Sequence, residues 1–182
     1  AVFGLLLDDW MEAHLYNAYV VAATLIIYGV LFIVLENSSI TANPSITKVG
    51  HISAKTALFI GLFQLLSLIP GTSRSGSTIL GAMVLGCSRG AAAEFSFFLG
   101  IPVMFGASFL KLVKFFIKGN VLTGPQIFYT ILGMLVAFGV SVYSIQFLMG
   151  YVRRHDFKFF GYYRIILGIV VLAYFGITAL AS

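Results

Sequence analysis

The strongest constraint on this chain is a polar turn, residues 70–78, that lies between two apolar runs too short to cross a bilayer. Residues 57–69 and 79–86 each supply only about half of the roughly 20 residues that a spanning helix needs. The simplest geometry is a re-entrant helical hairpin over residues 57–86, which enters the membrane and returns to the same face. Its tip holds Arg74 at a depth where an unpaired charge is costly, so we expect an anion to offset that charge.

The composition predicts an all-α, polytopic integral membrane protein with a single transmembrane domain over residues 1–182. Hydrophobic residues make up 60% of the chain and charged residues only 9%, whereas about a quarter of the residues in soluble domains are charged. Besides the hairpin, four longer apolar stretches predict spanning helices at residues 17–35, 95–114, 126–149 and 163–181.

Three shorter features of the sequence give further predictions. The small residues Gly133, Ala137, Gly139 and Ser141 allow close helix packing along the span 126–149. Glu94 is expected in the first turn of its helix, where the helix dipole favours a carboxylate. Residues 1–7 lack an initiator Met and a basic leader, so we interpret them as the last turns of a helix whose beginning is absent, and we expect a fragment or a processed chain.

The basic residues predict the orientation of the chain rather than nucleic-acid binding. The net charge is +5, but no basic patch is interleaved with polar surface. If the hairpin returns to the face that it left, three lysines lie on one face, and the other face receives Lys48, Lys55, Arg89, Arg153, Arg154, Lys158 and Arg164. The positive-inside rule makes the second face cytoplasmic and puts both chain ends outside. Cys87 is the only cysteine, which excludes a disulfide framework and a cysteine-based metal site.

The residues of the polar turn are suited to binding a phosphate or diphosphate. Gly71 and Gly76 let the backbone fold tightly, and a helix that begins near Ser77 aims its N-terminus at the turn. Arg74 offers a planar fork of donors that matches phosphate oxygens. Hydroxyl donors come from Ser73, Ser75, Ser77 and Thr78. A carboxylate ligand is an alternative, and so is an ordinary exposed turn whose arginine reaches lipid headgroups.

The chain resembles a known family in residues 70–78, in Gly86-Cys87-Ser88-Arg89 and in the stretch from Ala93 to Pro102. These residues are similar to the second signature region of the bacterial undecaprenyl-diphosphate phosphatase, or bacitracin resistance protein, family. The resemblance covers nearly the whole chain as the carboxyl-terminal two-thirds of that family. It implies inverted repeats, each with a re-entrant hairpin and three spans. Residues 57–86 and the spans after them would then be one complete repeat, and residues 17–35 the last helix of the other.

The resemblance also implies an activity and a set of site residues. The family hydrolyses undecaprenyl diphosphate to undecaprenyl phosphate and phosphate in the bacterial inner membrane, which recycles the carrier lipid for peptidoglycan synthesis. The resemblance also implies catalytic roles for Arg74, Ser73 and Thr78. Phosphate binding would fall to Gly71, Thr72, Ser75, Gly76 and Ser77.

The family's second hairpin, with its glutamate-rich motif and its Ser-Ser-Thr-Gly-His string, does not occur in these 182 residues. The resemblance implies Mg²⁺ or Ca²⁺, whose ligands would then lie outside this chain, so we expect the chain alone to be inactive. The expected partners are a polyprenyl diphosphate lipid, the bilayer and the missing amino-terminal repeat. A homodimer stays open.

Two other functions are alternatives to this one. A transporter or lipid flippase for a phosphorylated substrate also uses broken helices whose ends meet an anion at mid-membrane. A lipid phosphatase with a histidine nucleophile is disfavoured, because no histidine follows Ser73-Arg74 at helical spacing and His155 is the only one downstream.

Overall fold

The computed structural model describes residues 14–181 of the chain, so the predicted helix remnant at residues 1–7 lies outside it. Within the described residues the fold is all-helical, apart from one isolated β-bridge between Ile46 and Cys87. The helices are α1 (Ala18–Glu36), α2 (Ser39–Ala42), α3 (Ala54–Phe63), α4 (Arg74–Val84), α5 (Arg89–Ile117), α6 (Gly124–Arg154) and α7 (Lys158–Ala181). Short 3-10 helices occupy Val49–His51 and Gln64–Leu68.

Four of these helices, α1, α5, α6 and α7, are long and apolar enough to cross a membrane. The prediction of an all-α protein with several candidate spans is therefore confirmed. The limits differ most at α5, which begins at Arg89 rather than at residue 95, because Ser88 caps it by accepting a hydrogen bond from the Ala91 amide. Glu94 consequently lies in the second turn, and its predicted place in the first turn is wrong.

The closest helix contact joins α1 and α7, and it depends on glycine. A Cβ added to Gly29 would lie 2.7 Å from the carbonyl oxygen of Gly161, and one added to Gly161 would lie 2.8 Å from that of Gly29. Further along, a Cβ on Gly168 would lie 2.9 Å from the Ala22 oxygen. The two backbones therefore touch directly, as small residues allow between membrane helices.

The close packing that small residues allow along α6 is not found in the described part of the chain. The space above Gly133 and Gly139 is open, with no atom within 4 Å of an added Cβ. Most of α6 is exposed, and only its last turns, around Leu148 and Val152, reach the core. Small residues indicate where a helix can approach, but they do not identify the helix that does so.

Helices α3 and α4 form the hairpin that carries the polar turn. From the rise per residue of α-helices and 3-10 helices, α3 together with its 3-10 extension is about 25 Å long, and α4 is about 16 Å long. The end of α4 is tied to the loop that precedes the hairpin, since the Ile46 amide donates to the Gly86 oxygen at 3.0 Å and the Ser88 amide donates to the Ile46 oxygen at 2.8 Å. Burial beside this junction raises the pKa of the Cys87 thiol, which stays protonated and packs as a small apolar group.

An ion pair with a buried carboxylate joins three elements at the carboxyl-terminal end of α1. The Arg89 Nε donates to both carboxylate oxygens of Glu36 at 2.9 Å, and its Nη2 also contacts Oε2. The Phe157 amide donates to Glu36 Oε1 at 3.0 Å. One fully buried carboxylate thus fixes the end of α1 to the start of α5 and to the connection between α6 and α7. Sequence analysis did not identify this role of Glu36.

We expect Glu36→Ala to destabilise the protein by about 3 kcal/mol, because it strands the guanidinium of Arg89 and the Phe157 amide. Asp156→Ala removes the exposed pair with Lys158 and should cost less than about 1 kcal/mol. The measurement is the unfolding free energy in detergent for both variants. Equal losses would contradict the role given to Glu36.

Candidate functional site

The polar turn leads directly into α4, and the helix begins earlier than predicted. Ser73 is the N-cap, and its Oγ accepts a hydrogen bond from the Gly76 amide at 3.1 Å. The first helical residue is therefore Arg74, three residues before the predicted start near Ser77. The sequence signal for this start is a serine at the position where such caps are preferred.

The tip of the hairpin is held by side chains from the two packed helices α1 and α7. Thr24 on α1 donates to the Pro70 oxygen at 2.8 Å, and Arg164 on α7 donates through Nη2 to the Gly71 oxygen at 2.9 Å. Gly71 has φ +82°, and a Cβ there would meet Thr24 Oγ1 and lie 2.7 Å from the Val21 oxygen. Only glycine combines that backbone angle with this close approach.

The hydroxyl groups of the turn separate into two sets. Ser73 and Ser75, whose Oγ atoms are 3.2 Å apart, line a cavity of about 230 Å³ together with Gly76 and Arg164. Ser77 and Thr78 are buried between helices instead: Ser77 donates to the Tyr28 hydroxyl at 3.3 Å, and the Thr78 and Ser96 Oγ atoms are 2.6 Å apart. Thr72 is also buried, and its hydroxyl has no hydrogen-bond partner.

Arg74 extends to the opposite side of the turn, against α5. Its guanidinium lies over Gly100, where an added Cβ would be 2.6 Å from Nη2 and 2.8 Å from Nη1. The Nη1 atom is buried and has no hydrogen-bond partner. Since a buried donor without a partner costs about 1–3 kcal/mol, this group is suited to an acceptor that arrives with a ligand. Arg74 and Glu94 both line a second cavity, of about 350 Å³, between α5 and α6.

Arg164 is the functional candidate that sequence reasoning missed, because it was counted only as a base on the cytoplasmic face. It is half-buried, its Cζ lies 5.6 Å from the centre of the Tyr28 ring, and its Nε is buried without a partner. Its Nη1 is 3.6 Å from the position of a Cβ on Gly76. A signal was present: Arg164 is the only charged residue between 159 and 181, and a charge inside an apolar span usually serves a function.

A larger, polar depression of about 590 Å³ lies away from the turn, at the start of α5. Its wall includes Lys48, Arg89 and Glu94 and none of the residues 70–78. It therefore contributes no group to the site formed by the turn.

The donors at the turn do not fit a divalent cation. Mg²⁺ and Ca²⁺ take oxygen ligands, with carboxylates among them, whereas the turn presents hydroxyl groups and guanidinium groups. Within residues 14–181, no three His, Cys, Asp or Glu side chains come together. The chemistry of this donor set is that of an anion site.

Comparison with known proteins identifies the family of this chain. Residues 1–170 match the family described as bacitracin resistance protein BacA. The chain belongs to this family.

Curated relatives in this family are named undecaprenyl-diphosphatase. The protein of Streptococcus thermophilus (strain CNRZ 1066) is 58% identical over 174 residues, which are 96% of this chain and 60% of the relative. The protein of Lactobacillus delbrueckii subsp. bulgaricus is 59% identical over 170 residues, 93% of this chain and 62% of the relative. The chain thus spans about three-fifths of the length of the curated relatives that it matches.

We expect Gly71→Ala to loosen the tip of the hairpin, at a cost of about 1–3 kcal/mol from the backbone angle alone. Gly61→Ala is the matched control, since an added Cβ at Gly61 in α3 meets no atom within 4 Å. Thermal unfolding in detergent should show a lower midpoint for the first variant only. A Gly71→Ala protein as stable as the control would contradict the close contact with α1.

Proposed function

We propose that this chain is the phosphate-binding part of a membrane phosphatase that hydrolyses undecaprenyl diphosphate to undecaprenyl phosphate and phosphate. The reaction recycles the carrier lipid for peptidoglycan synthesis in the bacterial inner membrane. The observation that supports this most is the buried, unpaired Nη1 of Arg74 next to the serines of the turn, in a chain whose relatives carry the name of this activity.

The hairpin of α3 and α4 is re-entrant in this proposal. The Gly86 end of the hairpin is bonded to Ile46 in the loop that precedes α3, and each arm is shorter than a hydrocarbon core of about 30 Å. Its tip contacts α1 at Thr24, which precedes Glu36 by twelve residues, or about 18 Å along the helix axis. The tip therefore lies deep beside a helix that is long enough to span the membrane.

The residues of the turn bind the diphosphate and stabilise the charge of the transferring phosphoryl group. Arg74 binds phosphate oxygens with its fork on the α5 side of the turn, and Ser73 and Ser75 donate to other oxygens of the diphosphate from the cavity that they line. Arg164 adds its buried, unpaired Nε from the side of the tip opposite to Arg74. Donors fixed in place before the reaction stabilise charge that develops on the equatorial oxygens, which is where such groups accelerate phosphoryl transfer.

The remaining turn residues hold these donors in position. Thr78 acts through its contact with Ser96 and its hydrogen bond to the Arg74 oxygen at 3.2 Å. Gly71 and Gly76 permit close approach, and Ser77 anchors α4 to Tyr28. Thr72 contributes its amide, which donates to the Ile69 oxygen and closes the turn.

The reaction breaks the bond from the terminal phosphorus to the bridging oxygen. A water oxygen attacks the phosphorus in line with that bond, and undecaprenyl phosphate leaves with the bridging oxygen. We assign activation of the water to an amino-terminal repeat with an acidic hairpin, which this chain does not contain. We likewise place the ligands of Mg²⁺ or Ca²⁺ outside this chain and derive no step through the metal. The face with more basic residues is cytoplasmic in this proposal.

The chain alone should release no phosphate from undecaprenyl diphosphate in detergent, because it lacks the group that activates water. Co-expression with the part of the Streptococcus thermophilus relative that this chain does not match should restore release. The assay is phosphate release per mole of chain. Release by the chain alone would contradict the division of roles, and lipid movement across vesicles without phosphate release by the assembled protein would favour the transporter instead.

In the assembled protein, both Arg74→Ala and Arg74→Lys should lower kcat by about 10²–10³-fold, because lysine keeps the charge but loses the fork. Arg154→Lys is the matched control at an exposed position near the end of α6. Phosphate release under saturating substrate measures the effect. Near-normal turnover of Arg74→Lys would indicate simple charge neutralisation instead of a bidentate grip.

A further inference from the structure

Tyr28 is a buried tyrosine of α1 whose ring and hydroxyl both contact groups of the candidate site. It is 8% exposed, whereas Tyr19 on the same helix is 52% exposed. The guanidinium of Arg164 lies over its ring, with Cζ 5.6 Å from the ring centre. Its hydroxyl lies 3.3 Å from the Oγ atom of Ser77, and that Oγ atom is 3.2 Å from the backbone oxygen of Ser73. One side chain therefore joins Arg164 on α7 to the first turn of α4.

Tyr28 belongs to a row of α1 side chains that face the candidate site. Thr24, four residues earlier, donates to the Pro70 oxygen at the tip of the hairpin. Phe32, four residues later, lines the cavity of about 230 Å³ that Arg164 also lines. Residues four positions apart lie on the same face of a helix. One face of α1 thus contacts the tip of the hairpin, Arg164 and the cavity in succession.

We propose that Tyr28 is a positioning residue, which holds Arg164 in place to bind the diphosphate. Arg164 donates through Nη2 to the Gly71 oxygen, and its Nε is buried without a partner. A guanidinium held by one hydrogen bond can still rotate about that bond, and the ring of Tyr28 supplies a second contact that opposes this rotation. This inference rests on the proposed function, in which Nε of Arg164 donates to the bound diphosphate. The position of Nε then sets how tightly the diphosphate is bound.

The ring of Tyr28 and its hydroxyl have separable roles. A cation over an aromatic ring is attracted by the negative charge of the ring face, and this attraction is strongest where water is excluded. Phenylalanine offers the same face, whereas leucine offers none. Loss of the hydroxyl matters less, because the Ser77 hydroxyl keeps the Ser73 oxygen as an acceptor when Tyr28 becomes phenylalanine. The ring therefore carries the positioning role.

The test measures how tightly the chain in detergent binds a short prenyl methylenediphosphonate, which carries a diphosphate-like headgroup that cannot be hydrolysed. Titration calorimetry gives the affinity. Tyr28→Leu should weaken binding about 30-fold, the effect of losing a cation–π contact that is shielded from water. Tyr28→Phe should bind within about threefold of the unchanged chain. Tyr19→Leu is the matched control at an exposed position of α1 and should leave binding unchanged.

A second background separates positioning of Arg164 from simple packing of the core. If Tyr28 acts through Arg164, Tyr28→Leu should cause no further loss of binding in the Arg164→Gln protein. A residue that only packs would weaken binding by the same factor in both backgrounds. Tyr28→Met fills the space without an aromatic face, and it replaces Tyr28→Leu if that variant does not fold. Equal losses in Tyr28→Phe and Tyr28→Leu, additive effects with Arg164→Gln, or no binding to the unchanged chain would each overturn the proposal.

Phosphate release from undecaprenyl diphosphate by the assembled protein is measured separately, which distinguishes this inference from the proposed function. If no phosphate is released but the loss of binding in Tyr28→Leu depends on Arg164, the proposed function fails and Tyr28 positions Arg164 in an anion site of another activity. If phosphate is released and Tyr28→Leu changes neither binding nor release, the phosphatase is supported and the role of Tyr28 is refuted.

Discussion

The structure depends most on how the hairpin tip satisfies its backbone. The carbonyl groups of Pro70 and Gly71 are not part of a helix, and in a hydrocarbon environment an unpaired carbonyl costs several kcal/mol. Thr24 and Arg164 each donate to one of these oxygens. Two donors from different helices reach consecutive residues only because α1 and α7 touch along their glycines. The tight contact between α1 and α7 and the geometry of the polar turn therefore depend on each other.

Two arginines approach the turn from opposite sides and have different roles. Arg164 uses Nη2 to hold the tip and keeps Nε free of partners, so it combines a structural bond with spare donors. Arg74 has an unpaired buried Nη1 and lies against the backbone of α5 at Gly100. Two positive groups around one short loop raise the local potential and favour an anion of high charge over a carboxylate, and they do so before the ligand arrives.

The sequence around residues 70–78 was sufficient to predict the hairpin that carries the polar turn. The string from Pro70 to Thr78 with its short flanks indicates the hairpin. Serine at position 73 is a preferred helix cap, although the sequence analysis predicts the start of the helix near Ser77. Thr24, Glu36 and Arg164 were not found, because their roles depend on residues 46, 53 and 93 positions away along the chain. Helical periodicity carries no information on such partners. For Gly133 and Gly139, small side chains allow close packing, but the sequence does not identify a partner helix, and none lies against them within residues 14–181.

The two sides of the hairpin differ in a way that suits a lipid substrate. On one side α1 and α7 hold the tip with their backbones in contact and leave beside it only the cavity lined by Ser73, Ser75 and Arg164. On the other side α5 and α6 leave apolar side chains exposed beside Arg74. A long isoprenoid chain cannot leave the bilayer without exposing its whole apolar surface to water. In the proposed function, the headgroup of such a lipid therefore reaches Arg74 from within the membrane.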